Sequence, residues 1–316
     1  MRVTFHGGVR SVTGSLHQVE TGNTRVYLDC GLFQGPRAEA LERNRRFPSD
    51  PKDVDGVILS HAHLDHCGNL PTLVAQGFGG RIYCTPATRD LTALVLRDSA
   101  KVQEQDVRFV NKIRRRQGLP EVDVLYDARA AERAIAQIVS IPYEQKFSVG
   151  GVTAAFYDAG HILGSAITVL EAEGRRLGFT GDLGRPGMPI VRDPQAVSAV
   201  DCMLIESTYG DRAHPPLSEA ETQLAAVVGE TAQRGGKVLI PSFALGRTQE
   251  VVYALHRQHD AGRRPNIPTY VDSPMATDAT EIFRIHADCF DEEIRSHLEQ
   301  HDPFGFKGLR YVRTPE

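Results

Sequence analysis

Three histidines and one aspartate are crowded into the segment from His61 to His66, which reads HAHLDH. Imidazole nitrogens and carboxylate oxygens are donors that zinc and similar divalent cations take from proteins. His61 and His63 are spaced to converge on one cation. Asp65 and His66 are turned away by a helix that begins near Asp65, so they can converge on a second cation. The segment therefore predicts two adjacent metal sites.

Two other short motifs place further candidate ligands after strand-like runs. Asp158 and His161 follow the run VTAAFY, and Asp182 follows the run RRLGFTG. Loops at the ends of strands commonly carry functional residues, so these side chains are suited to complete the metal sites. The predicted ligands are His61, His63 and His161 for one metal, and Asp65, His66 and Asp182 for the other or shared with it.

The elements that must position these ligands are strands that alternate with helices. Strand-like patterns cover residues 3–5, 24–28, 56–59, 81–84, 152–157, 166–171, 176–180 and 201–206. A long helical pattern lies between Cys84 and Gly118, and a shorter one covers residues 128–139. Such alternation is typical of an α/β fold.

From Pro216 onward the sequence has the pattern of a second α/β unit. Ser218 and Glu221 have the spacing of a capping box at the start of a helix that ends on a double glycine. The predicted order that follows is a buried strand KVLIPSF at 237–243, a helix at 247–259, a strand PTYVDSP at 268–274 and a helix from Thr277. This order predicts parallel β-α-β packing, with a domain boundary at 207–216.

Length and charge limit the possible classes of protein. A chain of 316 residues is long enough for one large domain or for two. A formal charge of −4 and a pI near 6.3 argue against binding of nucleic acid through overall positive charge. The basic run KIRRR at 112–116 is a candidate local patch for a polyanion, although such a run is more typical of the solvated end of a helix.

Cysteine usage and hydropathy indicate a compartment. The five cysteines are scattered and include no C-x-x-C pair, which is typical of reduced thiols in a cytosol. No signal-peptide pattern follows Met1, and no apolar run reaches the roughly 18 residues of a membrane span. The sequence therefore predicts a cytoplasmic protein without a membrane partner.

Several motifs together resemble one enzyme family. Besides HAHLDH they are LDCGLFQG (28–35), DAGHILGS (158–165), TGDLGR (180–185), ESTYGDR (206–212), PSFALGRTQE (241–250) and VDSPMA (271–276). The sequence resembles the metallo-β-lactamase fold and, within it, the β-CASP nucleases, the group that contains ribonuclease J and the cleavage and polyadenylation endonuclease. The resemblance implies an αββα sandwich over residues 1–206 and an inserted, Rossmann-like β-CASP domain over residues 207–316.

The resemblance also assigns roles to particular residues. It implies that the six side chains of the two predicted metal sites are ligands, and that Asp29 orients the histidine cluster. Taken alone, Asp29 is also typical of a turn-forming acid before Gly31. Glu206 matches the first β-CASP motif, whose acid lies beside the metals and orients a catalytic histidine. Ser242 and Arg247 could contact a phosphate at a helix N-terminus, or they are simply a strand-to-helix turn.

The family chemistry is hydrolysis of RNA phosphodiester bonds, and the ligand set suits it. Two cations about 3.5 to 4 Å apart lower the pKa of a water between them and clamp phosphate oxygens. Asp65 could hold or take the proton of that water. Zinc is expected, and manganese is possible because oxygen donors are present. Two alternatives stay open: a small-molecule thioesterase or lactonase of the same fold, and a non-catalytic nucleic-acid-binding relative.

The family pattern ends with a return to the lactamase fold that adds two histidines. No histidine near the end of this sequence follows a strand and a glycine as those histidines do. The resemblance therefore implies a chain without its return segment, with impaired activity. The expected partner is single-stranded RNA, and a homodimer stays open.

Overall fold

The structure is a computed structural model that describes residues 1–263, 265–298 and 302–313. The chain divides into two compact units. The first contains residues Met1–Leu183 and Pro194–Glu206, and the second contains Gly184–Asp193 and Ser207–Glu316. The segment Gly184–Asp193, which falls inside the first predicted domain, is thus grouped with the second unit. The domain identities assigned from the sequence stay predictions.

The first unit is built on two β-sheets. The first sheet has six strands in chain order: β1 (Arg2–Gly7), β2 (Leu16–Thr21), β3 (Thr24–Leu28), β4 (Gly56–Ile58), β5 (Arg81–Cys84) and β6 (Ile138–Ser140). The second sheet has five: β7 (Phe147–Val149), β8 (Val152–Asp158), β9 (Ala166–Ala172), β10 (Arg175–Phe179) and β11 (Cys202–Leu204). Pairing is parallel from β3 to β6 and between β10 and β11, and antiparallel elsewhere.

Apolar side chains of both sheets form one core. Leu28 and Ile58 from the first sheet join Phe156 and Phe179 from the second, all at most 5% exposed. Packing of the two sheets stabilises the unit by removing these residues from water. The predicted α/β sandwich is therefore confirmed.

The helices of the first unit connect strands of its first sheet. They are α1 (Arg37–Arg45), α2 (Leu64–Cys67), α3 (Leu70–Ala75), α4 (Pro86–Arg116) and α5 (Ala128–Ala136), with a short 3₁₀ helix at Pro51–Asp53. Helix α4 begins sharply, because Pro86 occupies its first position and Thr85 Oγ1 accepts a hydrogen bond from Thr88 N at 3.3 Å. None of the helices in the described residues has the length and apolarity of a membrane span.

The second unit contains four helices and two strands among its described residues. They are α6 (Leu217–Gln233), α7 (Arg247–Asp260), β12 (Thr269–Val271), α8 (Pro274–Ile285), α9 (Glu292–His297) and β13 (Leu309–Tyr311), with a 3₁₀ helix at Ala287–Cys289. Strands β12 and β13 pair in parallel on either side of the helical segment. The parallel pair observed here is thus formed by β12 and β13, whereas the predicted β-α-β run began with a strand at 237–243.

Two predictions for the second unit are wrong. Residues 237–243 form no strand, and Leu239 and Phe243 are 89% and 82% exposed, because the described chain has no strand beside them to complete a ladder. The capping box does not form either. Helix α6 begins at Leu217 with Pro216 as its cap, so Ser218 lies inside the helix, where its carbonyl oxygen accepts from Thr222 Oγ1 at 2.7 Å.

In the first unit the sequence missed β2, β6 and β7. It also extended the helix that starts at Ala128 to residue 139, whereas α5 ends at Ala136. The β-branched pair Ile138 and Val139 instead joins β6, which pairs in parallel with β5. Tertiary pairing overrides the local helical pattern there.

Candidate metal centre

The carboxylate of Asp29 contacts residues at both ends of the histidine segment. Strand β3 ends at Leu28, and Asp29 turns into the interior with a φ of 60° and a fully buried side chain. Its Oδ1 accepts from Ser60 N at 2.8 Å, and its Oδ2 accepts from Ser60 Oγ at 2.9 Å. The same Oδ2 lies 2.7 Å from His66 Nδ1. One carboxylate thus fixes both ends of the segment that carries the predicted ligands.

The histidine segment changes from extended chain to helix within a few residues. His61 and His63 come before α2, and Asp65 and His66 lie in its single turn. The loop after β3 packs directly on this turn, because a Cβ at Gly31 would lie 1.6 Å from the carbonyl oxygen of Asp65. Only glycine fits such an approach, so the LDCG motif has a steric role as well as a chemical one.

The remaining two predicted ligands come from loops of the second sheet. His161 follows β8, and its backbone N–H donates to Ser165 Oγ at 3.0 Å. Asp182 follows β10 and comes after Gly181, which has a φ of 55°. A Cβ on Gly181 would lie 2.5 Å from Ser60 Cβ, so the absence of a side chain lets this loop approach the histidine segment.

Four donor atoms converge in a first group. His63 Nδ1 lies 3.1 Å from His61 Nε2 and 3.2 Å from His161 Nε2. Asp182 Oδ2 lies 3.5 Å from His161 Nε2 and 3.7 Å from His61 Nε2. Bonds of 2.0 to 2.1 Å in a tetrahedron separate neighbouring donors by about 3.3 Å. The spacing and the donor types of this group therefore fit one zinc ion.

A second, smaller group lies on the other side of Asp182. Its Oδ1 is 3.2 Å from His66 Nε2, and Asp65 Oδ2 is 3.9 Å from the same nitrogen. Asp182 thus presents one carboxylate oxygen to each group, which is the arrangement that a bridging ligand requires. All six predicted ligands are brought together at one end of the two sheets.

Burial and charge set the protonation of these side chains. Burial lowers the pKa of His61 well below its ordinary value and that of His63 to about 3, with neighbouring imidazoles acting in the same direction, so both rings are neutral and can donate a lone pair. Burial opposes the charge of His66, but the carboxylates of Asp29 and Asp182 outweigh it and raise the pKa of this ring. The carboxylates of Asp29 and Asp182 therefore favour the protonated form of this ring.

The two carboxylates of the second group differ in their pKa. Burial raises the pKa of Asp65, although His66 acts in the opposite direction. Burial also acts to raise the pKa of Asp182, but its hydrogen bond with His66 and the nearby histidines hold it at about 2. Asp182 is therefore the permanent anion of the cluster, and Asp65 is the carboxylate better suited to carry a proton.

Glu206 lies beside the Asp182 loop without joining the donor groups. Its Oε1 accepts from Leu183 N at 3.3 Å, and its own N–H donates to Thr180 Oγ1 at 3.3 Å. A carboxylate at this position can order the loop that carries Asp182. Its proposed action on a catalytic histidine stays a prediction.

The predicted phosphate contacts lie in the second unit. Ser242 is exposed, and Arg247 begins α7 after Gly246, whose φ is 77°. The Arg247 guanidinium is 2.7 Å from Glu250 Oε2, so an anion would have to compete with this carboxylate. The phosphate-binding role stays a prediction.

Sequence reasoning missed the serines that hold the site. Ser60 donates to Asp29 and has its Oγ 3.0 Å from His61 Nδ1, and Ser165 receives the N–H groups of the loop around His161. The only sequence signal for Ser60 is a single polar residue between an apolar strand and the first histidine. That signal alone does not distinguish a support residue from a loop residue.

Comparison with known proteins places this geometry in a family. The family model of the metallo-beta-lactamase superfamily matches residues 18–242, and that of the Beta-Casp domain matches residues 248–316. The chain is 38% identical to ribonuclease TTHA0252 of Thermus thermophilus over 317 aligned positions, which cover 100% of this chain and 68% of that protein.

Two further relatives are more distant. The chain is 34% identical to the transcription termination factor FttA of Methanocaldococcus jannaschii, covering 96% of this chain and 47% of that protein. It is 30% identical to subunit 3 of the cleavage and polyadenylation specificity factor of Dictyostelium discoideum, covering 100% of this chain and 40% of that protein. The chain thus spans between two fifths and about two thirds of the length of these relatives. Fold, motifs and relatives agree, and the chain belongs to the metallo-beta-lactamase superfamily and carries a Beta-Casp domain.

Proposed function

We propose that this protein is a metal-dependent ribonuclease that hydrolyses phosphodiester bonds of single-stranded RNA. The observation that carries the proposal is the convergence of three imidazoles and one carboxylate at tetrahedral spacing. Membership of a superfamily in which one relative is named a ribonuclease supports the choice of reaction and substrate. A cytoplasmic location belongs to the same proposal.

His61, His63 and His161 would hold one cation together with Asp182, and Asp65, His66 and Asp182 would hold a second. Zinc is the expected metal because imidazole dominates the first group, and manganese is the alternative because carboxylate oxygens dominate the second. Bound cations at these positions supply a water of lowered pKa and positive charge for the phosphate oxygens.

The side chains themselves orient the site and move protons. Asp29 accepts from Nδ1–H of His66, which leaves the lone pair on Nε2 directed at the second group. The carboxyl of Asp65, with its pKa raised by burial, takes the proton of the attacking water. Glu206 holds the loop of Asp182 through the hydrogen bond that its Oε1 accepts from Leu183 N.

The test is cleavage of a 5′-labelled single-stranded RNA by the purified 316-residue chain with zinc or manganese. We expect cleavage that is abolished by His63→Ala and retained by His214→Ala, because His214 lies outside both donor groups. Elemental analysis of the same preparations measures bound metal independently of activity. Intact RNA with hydrolysis of a thioester or lactone would instead favour the small-molecule alternative, and metal binding without any hydrolysis would favour the non-catalytic one.

A further inference from the structure

His161 lies in a short loop between β8 and β9, and side-chain hydroxyls hold the backbone of this loop. Ser165 Oγ accepts the N–H group of His161 at 3.0 Å and that of Ile162 at 3.2 Å. The carbonyl oxygen of Ser165 accepts from the hydroxyl of Tyr143 at 2.9 Å. The imidazole itself is 26% exposed, so the protein interior surrounds only part of it. The position of this predicted ligand therefore depends on how firmly its loop is held.

The loop also packs on the first turn of α4, through Gly164. The carbonyl oxygen of Gly164 accepts from Thr85 Oγ1 at 2.6 Å and from Thr88 Oγ1 at 2.8 Å. Gly164 has a φ of 79°, and a Cβ on it would lie 2.6 Å from Thr88 N and 2.8 Å from Ala87 Cβ. Only glycine fits so close to another backbone, so the loop of His161 and the start of α4 are in direct contact.

The hydroxyl of Thr88 is not needed to form the helix. Thr85 is the cap of α4, because its Oγ1 accepts from Thr88 N. The hydroxyl of Thr88 instead leaves its own helix and donates to Gly164. Thr92, one turn further along, is also fully buried, yet its Oγ1 has no hydrogen-bond partner among the residues that the structure describes. The two threonines thus differ in the one contact that reaches the loop of His161.

We infer that Thr88 is a positioning residue for the metal centre, and that it holds the loop of His161 through the carbonyl oxygen of Gly164. This oxygen has two lone pairs, and two threonine hydroxyls occupy them. Removing the hydroxyl of Thr88 leaves one lone pair without a donor in a buried contact, which favours movement of the loop. Since His161 Nε2 lies 3.2 Å from His63 Nδ1 and 3.5 Å from Asp182 Oδ2, such movement disturbs the tetrahedral spacing of the first group.

The expected effect is largest for one of the two donor groups. Direct hydrogen-bond partners of metal ligands contribute about 10- to 100-fold to metal affinity. Thr88 acts one step further away, so we expect the loss of its hydroxyl to lower the zinc affinity of the first group by about three- to tenfold. The second group takes no ligand from this loop and changes less. The inference rests on the proposed metal centre, but it does not depend on RNA or on the reaction.

The test is competition of the purified 316-residue chain with a chromogenic zinc chelator. Thr88→Val removes the hydroxyl and nearly keeps the shape of the side chain, and it should weaken the first bound equivalent by about three- to tenfold. Thr88→Ser keeps the hydroxyl and should retain the affinity of the parent chain. The matched control is Thr92→Val, which changes a buried threonine of the same helix and leaves zinc affinity unchanged. Circular dichroism checks that all three variants are folded.

A double-variant cycle shows whether Thr88 acts through His161. In the His161→Ala chain the loop carries no ligand, so Thr88→Val should cost no further zinc affinity, whereas a general loss of stability would lower the affinity in both chains. Equal losses in both chains would overturn the inference, as would equal affinities of Thr88→Val and Thr92→Val. A parent chain that binds no zinc would overturn both this inference and the proposed function. The expected cycle in a chain that leaves RNA intact would support the positioning role and contradict the ribonuclease proposal alone.

Discussion

Replacing Asp29 by asparagine changes one buried atom and tests how the metal centre is oriented. Asparagine tolerates the φ of 60° at this position, so the backbone is not strained. If the amide oxygen keeps the hydrogen bond from Ser60 N at 2.8 Å, the amide nitrogen takes the place of Oδ2, 2.7 Å from His66 Nδ1. An amide N–H donates, so His66 must present a lone pair on Nδ1 and carry its proton on Nε2.

That tautomer has no lone pair for a cation in the second group. Loss of such an orienting partner lowers metal affinity about 10- to 100-fold, or about 1.4 to 2.7 kcal/mol. We expect Asp29→Asn to weaken the second bound equivalent by this amount and the first equivalent by less, since Asp29 contacts His66 directly but is linked to His61 through Ser60. The opposite amide rotamer also costs affinity, because its N–H groups face the N–H of Ser60.

The assay is competition with a chromogenic zinc chelator, which resolves two equivalents of different affinity. Asp201→Asn is the matched control: this carboxylate accepts from Arg176 N at 2.7 Å at the far end of β10, so metal affinity stays unchanged. Circular dichroism checks that both variants are folded. Wild-type affinity for both equivalents in folded Asp29→Asn would refute the orienting role and leave Asp29 as a turn-forming acid.

Three further predictions address stability and activity. In the EDTA-treated protein, the carboxylates around His66 raise its pKa. Their contribution to stability is therefore complete below about pH 6.5, the unfolded value, and is lost as pH rises through the folded pKa. We expect the Tm measured by calorimetry to fall over that range, and zinc to reverse the fall. Gly31→Ala lowers the free energy of unfolding by about 3 kcal/mol or more, because its Cβ would lie 1.6 Å from the Asp65 carbonyl oxygen. In the control Gly79→Ala the new Cβ would have no atom within 4 Å, so the free energy of unfolding measured in urea titrations changes little. An equal loss of unfolding free energy in the two variants would contradict the steric role of Gly31. In a full-length relative, the change that corresponds to Glu206→Gln keeps the metal content found by elemental analysis but lowers the cleavage rate, and loss of metal from that variant would place this acid among the ligands.

Local pattern predicted the parts of the fold that depend on local sequence. The ends predicted for the short strands β3 and β5 are the observed ones, and the start of α4 follows from Thr85 and Pro86. Strand β6 was hidden in the helical pattern that starts at Ala128, because its place in the sheet depends on pairing with β5. Residues 237–243 were predicted as a strand that the structure does not contain. Their composition suits a strand, but a strand exists only where another backbone pairs with it.

The candidate metal centre also has features that depend on local sequence and features that depend on tertiary packing. Ligand types and their spacing are local, so His61, His63, Asp65 and His66 could be chosen from one segment. The sharing of Asp182 between two donor groups depends on the distance between two sheets, which no single segment encodes. The ion pair of Arg247 with Glu250 is local, at a spacing of three residues, so helix periodicity alone could have predicted it.

The first unit is discontinuous in sequence, and this has a consequence for its synthesis. Strand β10 is complete when residue 179 leaves the ribosome, but its parallel neighbour β11 follows only after the segment Gly184–Asp193, which belongs to the other unit. Until Cys202–Leu204 emerges, the second sheet has an unpaired edge that can capture another nascent chain. Translation pauses between these two points would therefore increase misassembly, and a fragment that ends at Leu204 is the shortest N-terminal piece that contains all of β11.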